Sequence, residues 1–142
     1  MDNNSLERFV EAQEHTYELA LREIMGGQKR SHWMWYIFPQ LRSLGRSYRS
    51  YFYGIENLDE AKRYIAHPIL GKRLVEICNA LILIQGKSAE EIFGSIDAMK
   101  LRSSMTLFSI ASMESDSIFK KILERFFDGE EDNITLELLQ RS

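Results

Sequence analysis

The stretch Ser31-His32-Trp33-Met34-Trp35-Tyr36-Ile37-Phe38-Pro39-Gln40 decides how this chain is read. It holds both tryptophans, and together with the residues up to Tyr53 it contains eight of the sixteen aromatic side chains. No acidic residue lies between Glu23 and Glu56, whereas Lys29, Arg30, Arg42, Arg46 and Arg49 all do. The most aromatic segment is therefore also the most positive one. Aromatic faces stack on rings while guanidinium and ammonium groups hold negative oxygens, so the pairing suits a pocket for a flat, anionic ligand. It equally suits a core segment with a basic rim whose aliphatic stems lie along apolar surface.

The conformation of this stretch sets the fold class. Ser31 is placed to cap a short helical turn through Tyr36, and Pro39 disfavours helix in Phe38. A strand is the alternative, because aromatics and Ile favour pleated surfaces. Few other strand-like runs are available to pair with it, so the helix is preferred and the chain reads as all-α. On a helix Trp33 and Trp35 diverge by roughly 200 degrees, and on a strand they share a face.

Upstream, Leu6, Phe9, Val10, Tyr17, Ala20, Leu21 and Ile24 follow the rhythm of one amphipathic helix, opened by Asn4 with Glu7 and closed by Gly26-Gly27. Gln13 falls inside the apolar stripe, where a buried amide must find partners: it either anchors a neighbouring loop or faces a ligand. Downstream, Leu41 to Gly45 reads as a turn or irregular helix end, and Ser47 caps a short helix over Tyr48 to Tyr53 that Gly54 closes. Asn57 with Glu60 opens a helix that ends at His67-Pro68, where His67 is read as capping the preceding helix. The next helix carries Leu70, Leu74, Ile77, Cys78, Leu81 and Ile82 and stops at Gly86; its apolar second half, Ala80 to Ile84, is expected at the domain centre. Ser88 with Glu91 opens a short helix to Gly94, Ser95 or Asp97 opens another, Ser115 caps one closed by Asp128-Gly129, and a last short helix lies near Leu136 to Leu139. The expected product is a single domain spanning 1–142, an orthogonal bundle of six or seven helices with irregular structure around residues 26–56.

Size and charge narrow the function. A chain of 142 residues buries roughly 70% of its unfolded surface without staples. The lone Cys78 cannot form an internal disulfide and behaves as a small buried hydrophobe, in keeping with a reducing compartment. The acidic N-terminus has no signal-peptide pattern, and no apolar run is long enough to span a bilayer, so a soluble cytoplasmic protein is expected. The net charge is -3, but residues 24–55 sum to +5 and residues 98–113 to +2 within an otherwise acidic chain. Duplex nucleic acid is not expected as a partner, since it calls for a broad basic face. A small anionic metabolite fits better. The sequence leaves the oligomeric state open.

With these residues in view, a resemblance emerges. Arg8-Phe9-Val10-Glu11-Ala12-Gln13, Lys29-x-Ser31 through Gln40, His67-Pro68-x-Leu70-Gly71-x-Arg73-Leu74, and Ile92-Phe93-Gly94 followed by Lys100 through Phe108 resemble the bacterial and fungal domain-of-unknown-function family 1810. The similarity covers essentially the whole chain. It implies a small, mainly helical domain of uncharacterised activity, with no established catalytic residues to transfer. Members are often labelled calpastatin-like, but calpain inhibitors of that name are long, disordered chains rich in polar repeats, unlike this apolar one.

Candidate chemistry is weighed against simpler roles. His32 in the positive interval can act as a general base or hold a ligand oxygen, or can be satisfied by a backbone carbonyl. The histidines His15, His32 and His67 lack ligand spacing and Cys78 has no nearby partner, so no metal is expected and no cofactor is implied. Lys100 stands three and four residues before Ser103 and Ser104, the spacing of a lysine-activated nucleophile, but no oxyanion hole is legible. Anion holding by Lys100, Arg102 and the serine hydroxyls asks only for converging donors. The leading expectation is a ligand pocket formed by His32, Trp33, Trp35 and Gln40 with Lys100, Arg102, Ser103 and Ser104. The alternatives are an enzyme, a hydrolase or transferase, using His32 in that pocket, and a module presenting an aromatic and basic patch to an acidic partner.

Overall fold

A computed structural model describes residues 6–141. Among them the chain forms α1 (Glu7–Gln13), α2 (Tyr17–Met25), α3 (Met34–Ile37), a 3-10 turn (Arg42–Leu44), α4 (Tyr48–Tyr53), α5 (Leu58–Ala66), α6 (Leu70–Ile82), α7 (Ala89–Phe93), α8 (Ser95–Ser112), α9 (Ile118–Phe127) and α10 (Asn133–Arg141). The all-α expectation holds, with ten α-helices in place of six or seven. Part of the difference is the first amphipathic segment, which breaks at Thr16 (φ -124°) into α1 and α2. The expected cap Asn4 lies outside the described residues.

Several local signals act as read. Ser47 accepts from the Ser50 N–H, Asn57 from the Glu60 N–H, and Ser88 with Glu91 forms a reciprocal capping box. Asp128 and Gly129 take the left-handed conformation that ends α9. His67 ends α5 as read, its N–H donating to Tyr64 O, and it also caps forward: its Nδ1 accepts from the N–H groups of Ile69 and Leu70 at the start of α6. Two assignments change. Ser117, not Ser115, caps α9 by accepting from the Lys120 N–H. Ser31 does not cap α3, because its hydroxyl is engaged by Glu23.

The centre is also displaced from where the apolar run predicts it. Leu81 is buried, but Leu83 is 76% exposed just past the end of α6. The central element is α8, which packs against α5, α7 and α9 and buries every residue from Ser103 to Phe108. Two of its three buried hydroxyls are satisfied within the helix, since Ser103 and Thr106 donate to the carbonyls of Met99 and Arg102, one turn back. Helix α6 packs on α2, α5 and α9, with Gly71 so close to α5 that an added Cβ would stand 1.9 Å from the Ile65 carbonyl oxygen.

The loop from Leu41 to Ile55 is closed by one parallel bridge, in which Arg42 N–H donates to Ile55 O and Ile55 N–H to Gln40 O, both at 2.8 Å. Arg8 then clamps the end of α4. It donates to the carbonyls of Phe52 (2.6 Å) and Gly54 (2.8 Å) and to both carboxylate oxygens of Glu60. Burial alone would raise the pKa of Glu60, but hydrogen bonds from Arg8 and the Glu56 N–H outweigh it and hold the carboxylate below its ordinary range.

Candidate functional site

The aromatic stretch is held from below by one carboxylate. Glu23, in the last turns of α2, accepts through Oε1 from the N–H groups of Arg30 (2.8 Å) and Ser31 (3.0 Å) and from the Trp33 indole Nε1 (2.8 Å). Its Oε2 accepts from the Ser31 hydroxyl at 2.6 Å. Partial burial pushes the carboxyl pKa up, but these donors, led by Ser31, overcome it and hold the value down to about 2. Gly27, at φ +83°, turns the chain out of α2, and Lys29 N–H then donates to Ile92 O at the end of α7. The segment thus enters α3 in a fixed direction, with Trp33 fully buried against Phe38 and Phe93.

Two residues on, Trp35 faces the other way. It is half-buried and lines a hollow with Phe38, Gln40, Ser50, Tyr53 and Lys100; Met34 and Gly54 complete the wall. The Arg49 guanidinium lies 5.1 Å from the Trp35 ring centroid and the Lys100 ammonium 5.5 Å, so two cations bear on one indole. Lys100 is weakly compensated. Its nearest carboxylate, Asp97, is 3.9 Å away and makes its close contact, 2.8 Å, with Lys29 instead. Among the described residues no carboxylate pairs with Arg49. Gln40 presents an amide, Ser50 a hydroxyl and Tyr53 a phenol whose pKa burial raises further above neutral. The enclosed volume is only about 10 Å³, room for about one water molecule. The site is thus an open-faced hollow whose polar groups surround a ring.

The eight residues singled out from the sequence divide accordingly. Trp35 and Gln40 share the hollow with Lys100, which lies nearly half the chain further on. Trp33 does not, being a core residue whose indole N–H is spent on Glu23. His32 is exposed and outside the wall, so a general acid or base at this position has no geometric support. Arg102 points away from Lys100, as a two-residue separation on a helix requires, and ties down the loop before α10 by donating to the carbonyls of Glu130 and Glu131. Ser103 is bonded to Met99 O, and Ser104 is fully buried with no hydrogen-bond partner for its hydroxyl, so neither serine joins the site. Gln13 resolves as an anchor: its amide donates to Tyr36 O (2.8 Å) and the Tyr64 hydroxyl (3.0 Å) and accepts from Arg73. Sequence reading missed Arg49, Ser50 and Tyr53, although their spacing on the expected Ser47-capped helix places all three on one flank.

Comparisons with known proteins agree with this architecture. A crystal structure of the conserved hypothetical protein Rv1873 from Mycobacterium tuberculosis superimposes with a TM-score of 0.92 at 46% identity, covering 95% of this chain and 96% of that one. Among curated proteins none matches. The profile of a protein family of unknown function, DUF1810, matches residues 3–139, the interval that carries the Trp-Met-Trp and Arg-Ser-Ser-Met-Thr motifs. This helical chain, with its tryptophans divided between core and hollow, belongs to the DUF1810 family.

Proposed function

We propose that the hollow beside Trp35 binds a small anionic ligand that carries a ring, with nucleotides and nucleotide-derived metabolites as the class. The observation that carries this reading is the pair of cations, Arg49 and Lys100, set against one half-buried indole without a close carboxylate of their own. A phosphate held between them gains charge-assisted hydrogen bonds, and a ring beside it gains the aromatic surface of Trp35. Because so little volume is enclosed, the ligand lies across the mouth, and the exposed Arg49 side chain swings aside as the ring arrives. Gln40 and Ser50 supply edge contacts that distinguish one ring from another.

Thermal-shift screening of nucleotides and phosphorylated metabolites tests this. A ligand at one hundred times its Kd adds about 2.7 kcal/mol of stability, which moves the melting midpoint by several degrees. Trp35→Ala abolishes that shift and Lys100→Gln cuts it to about half or less, while the unliganded proteins still melt cooperatively. A screen in which no phosphate-bearing ring compound stabilises the parent protein refutes the proposal.

A further inference from the structure

Outside the hollow, helix α4 carries an unusual surface. Tyr48 is 78% exposed, Tyr51 62% and Phe52 40%, and the three lie on one face because they are three and four residues apart. Tyr48 and Phe52 stack at 19° with centroids 6.1 Å apart, and the Arg42 guanidinium covers the Tyr51 ring at 4.5 Å. On the adjoining flank of the same helix, Arg49 leads to Trp35 and the hollow. Ring and guanidinium therefore alternate across the surface. Arg46, at the entrance to α4, adds another exposed cation. No acidic residue occurs in the sequence from Ile24 to Ile55, which carries this entire surface apart from Lys100.

We infer that this face is a docking surface for single-stranded nucleic acid, with the hollow at Trp35 seating one nucleotide and the α4 aromatics stacking its neighbours. The inference rests on the proposed nucleotide reading of the hollow and extends it from a monomer to a strand. Charge and shape together favour a strand. The exposed apolar side chains of α4 are all aromatic, flat rings of the kind on which unstacked bases stack. Guanidinium groups lie against the Tyr51 and Trp35 rings, in a segment without an acidic residue, where a phosphate backbone finds cations between its stacked bases. A duplex does not fit, since its bases offer no free faces and the protein as a whole carries -3.

The test measures anisotropy of a labelled single-stranded oligouridylate of about eight nucleotides, a length in the range that single-strand binding surfaces cover. Thermal shift by uridine monophosphate runs beside it. The inference predicts that the oligomer binds at least about tenfold more tightly than the monomer and that its affinity falls as salt rises. It also predicts that Tyr48→Ala and Tyr51→Ala each weaken the oligomer about fivefold or more, while leaving the monomer shift and the unliganded melting curve unchanged. If the monomer binds and the oligomer binds no more tightly, the inference is overturned and the reading of the hollow stands; if neither binds, the inference is overturned and the reading of the hollow is decided by the wider screen of phosphate-bearing ring compounds. Displacement of the oligomer by a polyglutamate peptide at equal charge, or equal affinity for a duplex, also overturns it, because the surface would then read charge alone.

Discussion

Replacing Glu23 by Ala perturbs the turn that leads from α2 into the aromatic segment. One carboxylate takes four donors, from Arg30, Ser31 twice and the buried Trp33 indole. The exposed Arg30 N–H can turn to water, so its loss costs little. The Trp33 Nε1–H, in a fully buried side chain, is left without its acceptor, a desolvation cost of about 1–3 kcal/mol, and the Ser31 contacts add a charge-assisted bond of comparable worth. The expected loss is about 3–4 kcal/mol, a large share of a typical domain's 5–15. Urea unfolding followed by circular dichroism measures it. Glu23→Gln keeps a carbonyl acceptor and loses about half as much. Acid sensitivity gives a second reading of the same residue. The folded-state pKa of about 2 lies below the ordinary 4.5, so this contribution is complete above about 4.5 and disappears as pH falls toward 2. The parent therefore loses stability through that interval more steeply than Glu23→Gln does. A Glu23→Ala protein within about 0.5 kcal/mol of the parent, the scatter of surface substitutions, would refute the idea that this carboxylate organises the turn.

Three further outcomes are expected. Arg8→Met leaves Glu60, 1% exposed, as an uncompensated buried carboxylate and costs about 3–5 kcal/mol, whereas the double variant Arg8→Met with Glu60→Leu recovers part of that loss in a double-mutant cycle. Gly71→Ala drives a methyl into the Ile65 carbonyl and lowers stability by about 1–3 kcal/mol or more by denaturant titration; a neutral result would mean that α5 and α6 separate freely. Ser104→Ala removes a buried hydroxyl that has no partner, so it should be neutral or stabilising by about 1 kcal/mol in thermal melts, and a clear loss of stability would show that this oxygen is satisfied in solution.

What could be read from the sequence was what short-range chemistry decides. Ser47, Asn57 and Ser88 cap the helices they precede because a cap needs only its own next three residues. The choices that failed depend on distant partners. Ser31 and Ser115 have the right residue type for a cap, but Glu23 claims the first and α9 begins three residues beyond the second. Trp33 and Trp35 were placed together in a pocket, whereas a short helical turn sends them to opposite sides, and only the packing of Phe93 and Lys100 decides which is core. Lys100 and Arg102 part for the same reason. The apolar second half of α6 misled because α8 bonds the buried Ser103 and Thr106 hydroxyls back to its own carbonyls, leaving of its buried hydroxyls only that of Ser104 unpaired, and so occupies the centre despite a polar composition.

The most direct test of the ligand-binding account isolates the Trp35 indole. In a Trp33→Phe protein, Trp35 is the sole source of tryptophan emission, and titration with adenosine monophosphate should quench it saturably as the base reaches the ring. Adding Lys100→Gln to that protein should weaken the affinity read from the quenching by about tenfold or more, as expected for losing one charge-assisted phosphate contact of about 1.5–3 kcal/mol. Emission that does not respond to the nucleotide, or that responds equally with and without Lys100, would contradict the account.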